Sequence, residues 1–446
     1  MYLLYSALLA LALLVSLPYW LLQALRQGKY RAGLRERLGR LPARLKLGAA
    51  QPTIWIHAVS VGEVIAVGGL IAELQRGFPF HRIMVSTTTD TGQKLARARF
   101  GEANVFYFPL DFAFAIEPYL EALRPELIVL TETEFWPNFL RLAHKYRSRI
   151  AVVNARISDR SWPGYRRWRR ILAKLLRPVD LFLAQSEEDR RRLIQIGALE
   201  NCIAVSGNLK FDASLPPPLP IVRELREKLN AENAGPVLVC GSTVEGEELI
   251  LLEAFRQVLA SHPHAVMLLA PRHPERFAEV EQLLHQSKMA FSRRSLFGNP
   301  NQLGNPNQFG NSNQFGNSNN LPGSIVLVDT IGELASLYAL ADLAFVGGSL
   351  VPRGGHNPLE PALHGIPVVT GPHTENFRDV VKSLKRREAV RVVGTEGLPQ
   401  TLLTLLCDAA ERARLGRCAA ETVREHQGAT QTTFLALKNL LERRSH

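Results

Sequence analysis

The 446-residue sequence contains little cysteine and none of the short motifs that mark several common enzyme classes. Its four cysteines are far apart and form no CxxC pair, which argues against a disulfide scaffold or a zinc-finger set and indicates a reducing compartment. Because no HExxH, Walker A, GxSxG or Cys/His cluster occurs, metal-dependent hydrolysis, P-loop phosphoryl transfer and serine hydrolysis are poorly supported. With 46% hydrophobic and 21% charged residues, the composition is that of a folded chain of two or three domains.

The first 25 residues have no charge and contain eleven leucines. This length suffices for a helix to cross a bilayer, although Pro18 also allows a helix lying in the interface, and both forms of attachment stay open. A cleaved signal peptide is disfavoured because no basic segment precedes the apolar run. The positive-inside rule places the following residues in the cytoplasm, because the run is followed by a cluster of basic residues: Arg26, Lys29, Arg31, Arg35, Arg37, Arg40, Arg44 and Lys46.

Acidic residues are outnumbered, 41 against 53 basic ones, so the formal charge of +12 favours an anionic partner. A second basic stretch, 156–177, has Trp162, Tyr165 and Trp168 between its arginines and lysines. It is typical either of a solvated helix face or of a surface that contacts anionic headgroups. We favour a membrane surface over nucleic acid, because no other feature resembles a nucleic-acid module.

Short Val/Ile-rich runs alternate with amphipathic stretches, which indicates βαβ units and parallel sheets. We predict an α/β chain with two doubly wound Rossmann-like domains facing a cleft. Its parts are a membrane anchor and basic segment (1–46), a first domain (47–213), a linker (214–235) and a second domain (236–446) whose last helix packs back on the first. The Asn/Gly-rich hexapeptide repeat at 298–320 is predicted to be a disordered surface insertion without a catalytic role. The predicted strands are Thr53–Val59, Arg82–Thr87, Asn104–Phe108, Leu127–Thr131, Ile150–Asn154, Leu181–Ala184, Ile203–Ser206, Val237–Gly241, Ala265–Ala270, Ile325–Val328, Leu343–Val346, Pro367–Thr370 and Val390–Val393.

Three strand ends in the first half carry candidate catalytic side chains. Glu63 follows the first strand and is a candidate general base, although an acid in the first turn of a helix is also common for structural reasons. Glu132 and Glu134 follow a later strand and point the same way if the chain there stays extended. Lys210, just before the linker, is suited to stabilising developing negative charge.

The second half has candidate ligand contacts at successive strand ends, which converge on one crevice. Arg272 follows one strand and suits phosphate or base contacts. The densest block is 347–360, where glycines permit close backbone approach and Asn357-Pro358 is a good N-cap and N1 pair for an anion-binding helix start. Glu360 is placed to accept hydrogen bonds from ribose hydroxyls. The predicted ligand is a nucleotide carrying phosphate.

The segments 57–63, 131–138 and 354–360, taken together with the other strand ends described above, resemble those of the 3-deoxy-D-manno-octulosonic acid (Kdo) transferase family. The resemblance runs from the N-terminal apolar segment to near the C-terminus, and only residues 298–320 depart from it. Its most specific stretches are HAVSVGE, ETEFWPN and GGHNPLE. The matching segments are His57–Glu63, Thr131–Asn138, Asn154–Arg156, Gly207–Asp212, Pro271–Arg276, Asp329–Leu334 and Gly354–Glu360.

The resemblance implies a GT-B glycosyltransferase of lipopolysaccharide inner-core assembly at the cytoplasmic face of the inner membrane. Such an enzyme transfers Kdo from CMP-Kdo to an anionic lipid A precursor, with inversion at the anomeric carbon and without a metal or other cofactor. The resemblance puts the base at Glu63 and the transition-state stabilising positions at Glu132 and Lys210. The CMP contacts that it implies are Pro271, Arg272, Ile331, Gly332, Glu333, Asn357, Pro358, Leu359 and Glu360.

Two other functions remain open from the sequence. One is an enzyme with the same scaffold that uses a UDP-sugar, such as another glycosyltransferase or a sugar-nucleotide epimerase. The other is a non-catalytic membrane-binding protein, which would not require the clustered strand-end acids and glycines.

Overall fold

The computed structural model describes residues 2–27, 33–46, 51–159, 161–215, 217–297 and 320–442. Most of the predicted insertion, residues 298–319, therefore lies outside the described residues, as do the predicted basic residues Lys29, Arg31 and Arg160. The chain divides into two compact units, one formed by the described residues up to Asp212 and from His426 onward, the other by Ala213–Glu425.

The first unit is built on a sheet of seven parallel strands in the order β3-β2-β1-β4-β5-β6-β7. Alternate residues of a strand face opposite sides, and both sides are buried here: Trp55 lies in one hydrophobic cluster, Ile54 and Ile56 in the other. The strands are β1 (Thr53–His57), β2 (Arg82–Thr87), β3 (Val105–Tyr107), β4 (Pro125–Thr131), β5 (Arg149–Ala155), β6 (Leu181–Ala184) and β7 (Ile203–Val205). The α-helices among the described residues of this part of the chain are α1 (Tyr2–Gln27), α2 (Leu34–Arg37), α3 (Ala43–Lys46), α4 (Val61–Ala66), α5 (Gly68–Gly77), α6 (Asp90–Phe100), α7 (Ala113–Leu123), α8 (Pro137–Lys145), α9 (Trp162–Arg167), α10 (Arg169–Leu176) and α11 (Glu187–Gln195).

The second unit contains another seven-stranded parallel sheet, in the order β10-β11-β9-β8-β12-β13-β14. Its two faces are also covered, with Leu238 in one cluster and Val237 and Val239 in the other. The strands are β8 (Val237–Thr243), β9 (Val266–Pro271), β10 (Phe291–Arg293), β11 (Ile325–Leu327), β12 (Leu343–Val346), β13 (Val368–Thr370) and β14 (Val390–Val392). The helices are α12 (Pro220–Ala231), α13 (Glu247–Ser261), α14 (Phe277–Ser287), α15 (Leu334–Leu337), α16 (Leu359–Leu363), α17 (Arg378–Arg386), α18 (Leu398–Cys407) and α19 (Ala409–His426).

The prediction of parallel α/β sheets is confirmed, and each of the thirteen predicted strands coincides with an observed strand to within two residues at either end. One strand, β10, was not predicted from the sequence. It has only three residues, of which two are Ser292 and Arg293, so it carries no continuous apolar run. Its place at the edge of the sheet beside β11 explains why so polar a segment is tolerated there.

The observed boundaries differ from the predicted ones in two places. Residues 33–46 pack on the first unit, where Leu45 is fully buried and Arg44 Nη2 donates to Val105 O at 3.1 Å. Within the predicted linker 214–235, residues 220–231 form α12, because Ile221 and Leu225 are buried in a core cluster of the second unit.

The last helix, α20 (Ala429–Glu442), belongs to the first unit. Phe434 and Leu437 lie in the same hydrophobic cluster as Ile54 of β1. The Asp212 carboxylate accepts hydrogen bonds from the backbone N–H groups of Gly428 and Thr430, which fixes the start of the helix.

Helix α1 contacts α8 through its first two turns, where Ser6 Oγ accepts a hydrogen bond from Asn138 Nδ2 at 3.0 Å. Several leucines of this helix are exposed, for example Leu3 (88%) and Leu14 (65%). Among the described residues, no helix has both the length and the apolar character needed to cross a membrane. The anchor predicted at the N-terminus is therefore not confirmed and stays a prediction.

Truncating Leu45 to alanine is expected to destabilise the first unit by about 2–5 kcal/mol, because the side chain is fully buried and its removal leaves a cavity. Leu38→Ala, at a position where the side chain is 44% exposed, is the matched control and should cost much less. Chemical denaturation of both variants checks the prediction. Equal free energies of unfolding would mean that residues 33–46 do not pack on the unit as described.

Candidate active site

Each sheet has a point at which successive connections leave in opposite directions, between β1 and β4 in the first unit and between β8 and β12 in the second. Ligands of open α/β sheets bind outside the carboxyl ends of the strands at such a point. Glu63 follows β1 and Glu132 follows β4, so both lie at this position in the first unit. In the second unit the loop after β12 leads to Asn357 and Glu360.

Glu63 lies in the first turn of α4 and its carboxylate is held at both oxygens. Oε2 accepts the Val59 N–H at 2.9 Å and a hydrogen bond from the Thr131 hydroxyl, and Oε1 accepts the Ser60 hydroxyl at 3.0 Å. Burial raises the pKa of Glu63, the charge of Glu132 raises it further, and the three hydrogen bonds oppose the shift. The group is thus an oriented carboxylate with more proton affinity than an ordinary glutamate.

Glu132 occupies a turn, so the chain after β4 is not extended, and the condition under which Glu132 and Glu134 were predicted to point the same way is not met. Strand β4 ends at Thr131, and Glu132 has φ of +56°, in the left-handed region, while its N–H donates to Val153 O at 3.0 Å. The Glu132 carboxylate lies 3.6 Å from Lys210 Nζ, with both side chains mostly buried. Tertiary structure therefore brings the three predicted residues Glu63, Glu132 and Lys210 together.

Glu134 belongs to the same cluster, although no separate role was predicted for it. Burial and then the charge of Glu63 raise the pKa of Glu134 to about 7. Burial, and next the charge of Glu134, raise the pKa of Tyr165 from α9, which also hydrogen-bonds to Thr133. Part of the predicted basic and aromatic stretch therefore lies beside the acidic cluster.

Two hydroxyl groups of the site were not predicted, those of Ser60 and Thr131. Ser60 lies three residues before Glu63 and Thr131 directly precedes Glu132, and only the folded structure shows that both orient Glu63. His57, the first residue of the HAVSVGE motif, has a structural role instead. It is fully buried, stacks on Phe108 with ring centroids 3.9 Å apart, and burial lowers its pKa to about 3, so it is neutral at physiological pH.

In the second unit, Arg272 at the end of β9 is close to the end of β8 and to the loop after β12. Arg272 follows Pro271, the last residue of β9, and its N–H donates to Thr243 O of β8 at 2.9 Å. Burial raises the pKa of Glu360, and Asn357 and Arg272 oppose that shift. Burial, Arg272 and His273 lower the pKa of His356 to about 4. An exposed cation thus lies close to a carboxyl and an imidazole of the loop after β12.

The segment Asn357–Glu360 differs from the predicted helix start. Helix α16 begins at Leu359 and has five residues, so the N-cap position falls on Pro358 and not on Asn357. Asn357 Oδ1 nevertheless accepts the Leu359 N–H at 3.1 Å, and its amide donates to Glu360 Oε1 at 3.2 Å. The polar atoms of this segment are therefore fixed relative to one another, while Pro358 and Leu359 are buried beneath them.

The remaining predicted contacts, Ile331 to Glu333, follow β11, which neighbours β9 at the same edge of the sheet. Ile331 is 78% exposed, unusually so for an apolar side chain, and Gly332 has φ of +87°. The Glu333 carboxylate accepts hydrogen bonds from Arg294 Nη2 at 2.7 Å and from the Thr330 hydroxyl at 2.5 Å. The turn therefore offers an apolar surface and backbone groups to a ligand rather than a free carboxylate.

Within the described part of the chain, no group of three or more His, Cys, Asp or Glu side chains is arranged to hold a metal ion. The titratable clusters are instead acidic in the first unit and mixed in the second. Both occupy the ligand-binding edge of a Rossmann-like sheet.

Known structures share this two-domain α/β architecture. The chain is similar to a glycosyltransferase from Rickettsia africae (TM-score 0.53, 14% identity, 88% of this chain and 98% of the other). It is also similar to UDP-GlcNAc 2-epimerase from Neisseria meningitidis (TM-score 0.53, 14% identity, 87% and 100%). At such low identity these similarities establish the class of fold alone, and not the substrate.

Sequence comparison identifies the family within that class. The family model described as 3-deoxy-D-manno-octulosonic-acid transferase (kdotransferase) matches residues 32–213. A 3-deoxy-D-manno-octulosonic acid transferase of Haemophilus influenzae is 34% identical over 98% of both chains. The chain therefore belongs to the Kdo transferase family, as its motifs predicted.

Proposed function

We propose that this protein transfers Kdo from CMP-Kdo to a phosphorylated lipid A precursor, with inversion and without a metal ion or other cofactor. The observation that carries the proposal is the oriented Glu63 carboxylate beside the Glu132–Lys210 pair, in a chain that belongs to the Kdo transferase family.

Glu63 acts as the general base. The pKa of Glu63 is raised toward the pH of the medium, which makes its carboxylate a better proton acceptor than an ordinary one. The acceptor hydroxyl gives its proton to Glu63 while its oxygen bonds to the anomeric carbon of Kdo, and the bond from that carbon to the CMP phosphate oxygen breaks. The electron pair leaves with CMP.

Lys210 and Glu132 stabilise the charges that develop during this displacement. Lys210 Nζ, 3.6 Å from Glu132, supplies a positive charge that the neighbouring carboxylate keeps in place. Such a preoriented cation stabilises a transition state without reorganising. Glu132 additionally raises the proton affinity of Glu63, so it contributes to the strength of the base.

The second unit binds the CMP moiety. Arg272 is suited to contact the phosphate, because a guanidinium forms charge-assisted hydrogen bonds with phosphate oxygens. The exposed Ile331 provides an apolar surface for the base, and Glu360 accepts hydrogen bonds from ribose hydroxyls. Pro358 and Leu359, both buried, support this segment.

The acceptor is reached from a membrane surface, which we propose to be the cytoplasmic face of the inner membrane. The basic residues of α9 and α10 suit an anionic lipid, and the exposed leucines of α1 suit its acyl region. Helix α9, which contributes Tyr165 beside Glu134, would thus also contact the negative charge of the acceptor.

The test is a transfer assay with purified protein, CMP-Kdo generated in place and a tetraacylated lipid A precursor, analysed by mass spectrometry. A gain of one or more Kdo masses is expected, and the number of units follows from the same spectrum. Binding of CMP and UDP is measured in parallel. Preference for UDP without Kdo transfer would contradict the proposal and favour a UDP-sugar enzyme.

Replacing Glu132 with glutamine is expected to move the acid limb of the pH–rate profile to lower pH. The base must be deprotonated to act, so transfer rises with pH through the pKa of Glu63, and removal of the Glu132 charge lowers that pKa. The measurement is kcat/KM against pH for wild type and variant, each normalised to its plateau. A limb that stays in place or moves upward would contradict the assignment of Glu63 as base.

A further inference from the structure

Two consecutive carboxylates in the second unit are buried without being part of the proposed contacts to CMP. Glu247 and Glu248 begin α13, directly after the β8 strand end, and are 0% and 1% exposed. Buried carboxylates are costly unless hydrogen bonds compensate for lost hydration, so their partners indicate what they do.

Glu247 binds four backbone N–H groups. Oε1 accepts those of Ser349 and Leu350, both at 2.8 Å, and Oε2 accepts those of Gly348 at 2.7 Å and Val244 at 3.1 Å. Three consecutive N–H groups that converge on one point form an anion-binding concavity of the backbone. Here the protein's own carboxylate fills that concavity.

The turn held in this way supports the proposed CMP-binding segment. The Gly348 carbonyl accepts the Gly355 N–H at 2.7 Å, and the Gly347 carbonyl accepts the His356 N–H at 3.0 Å. Gly348 has φ of +68°, and a Cβ there would lie 2.7 Å from the His356 ring, so the approach requires glycine. Asn357 follows immediately in the chain.

Glu248 holds the other loop of the same edge. Its two oxygens accept hydrogen bonds from Arg276 Nη1 at 2.7 Å and Nη2 at 3.2 Å, and Arg276 closes the turn that begins after Arg272. Adjacent residues of a helix point in different directions, which lets two neighbouring carboxylates reach two separate loops.

We infer that Glu247 is a positioning residue for nucleotide binding, which fixes the 347–356 loop so that Asn357–Glu360 meets CMP, and that Glu248 does the same for the loop of Arg272. This inference rests on the proposed function. Neither glutamate touches the nucleotide; each acts through the loop that it holds.

The test compares Glu247→Gln with Glu245→Gln, a change of an exposed glutamate two residues earlier. Glutamine retains one acceptor oxygen and presents an N–H group to two N–H donors, so the turn should loosen. CMP, as the probe, is expected to bind about tenfold more weakly to Glu247→Gln, with KM for CMP-Kdo raised more than kcat is lowered. Glu247→Asp, which keeps the charge, should recover part of the affinity.

Hydrogen exchange of the peptide containing Gly348–Leu350 provides a readout that does not need a ligand. Faster exchange is expected in Glu247→Gln and unchanged exchange in Glu245→Gln. If Glu247→Gln binds CMP like wild type, or exchanges like wild type, the positioning role is wrong even where its melting temperature is lower.

Failure of the proposed function has a different signature, namely wild-type protein that does not bind CMP. In that case faster exchange in Glu247→Gln still supports the loop-holding role, and unchanged exchange overturns it. Should Glu247→Gln not fold, Glu248→Gln takes its place, with weaker CMP binding expected and exchange measured across 271–276; wild-type values for both would overturn the inference.

Discussion

Glu63→Gln is expected to slow Kdo transfer by about 10²- to 10⁴-fold, the contribution typical of a positioned general base. The amide is nearly isosteric with the carboxylate, so it can keep a hydrogen bond from the Val59 N–H and donate one to Ser60. What it cannot do is accept a proton from the acceptor hydroxyl. The loss should therefore appear in kcat, measured by product mass under saturating CMP-Kdo and lipid.

The matched control is Glu102→Gln, at an exposed acid of the same unit whose carboxylate lies 3.8 Å from Arg97. It should transfer Kdo at the wild-type rate. CMP affinity should be unchanged in both variants, because Glu63 lies in the first unit and the proposed CMP contacts lie in the second. Near-normal turnover by Glu63→Gln would mean that another group takes the proton.

The strand-end positions of the site residues were predictable because they depend on local sequence pattern. Val/Ile-rich runs such as Leu127–Thr131 mark buried parallel strands, and the polar residues directly after them must lie at the ligand-binding edge. Glu63 after β1 and Arg272 after β9 lie at such strand ends, as predicted without knowledge of the contacts between strands.

Features that depend on tertiary contacts were not predictable. The left-handed turn at Glu132 breaks the expected alternation, and its N–H pairs with Val153 of another strand. Glu247 and Glu248 had the pattern of an ordinary acidic helix start, although their partners lie as much as about 100 residues along the chain. The burial of Leu45 was not predictable either. It follows from the packing of a basic segment whose composition suggested contact with solvent or lipid headgroups.

Arg272→Met is expected to weaken CMP binding by about 10- to 100-fold. Loss of a hydrogen bond to a charged group costs about 1.5–3 kcal/mol, and each 1.4 kcal/mol corresponds to a factor of ten in affinity. Methionine preserves most of the apolar stem, so the change removes the charge rather than the packing. Arg417→Met, at an exposed position on α19 of the same unit, is the control and should bind CMP like wild type.

A second readout locates the Arg272 charge without a ligand. Arg272 lowers the pKa values of both His356 and Glu360, so both pKa values should rise in Arg272→Met, that of His356 from about 4. Titration of the His356 ring by NMR measures this shift directly. A raised His356 pKa with unchanged CMP affinity would place the charge correctly but exclude it as a phosphate contact, whereas an unchanged pKa would mean that Arg272 does not face this loop. Weaker CMP binding together with a raised His356 pKa therefore identifies Arg272 as a cation that both contacts the nucleotide and faces the loop after β12.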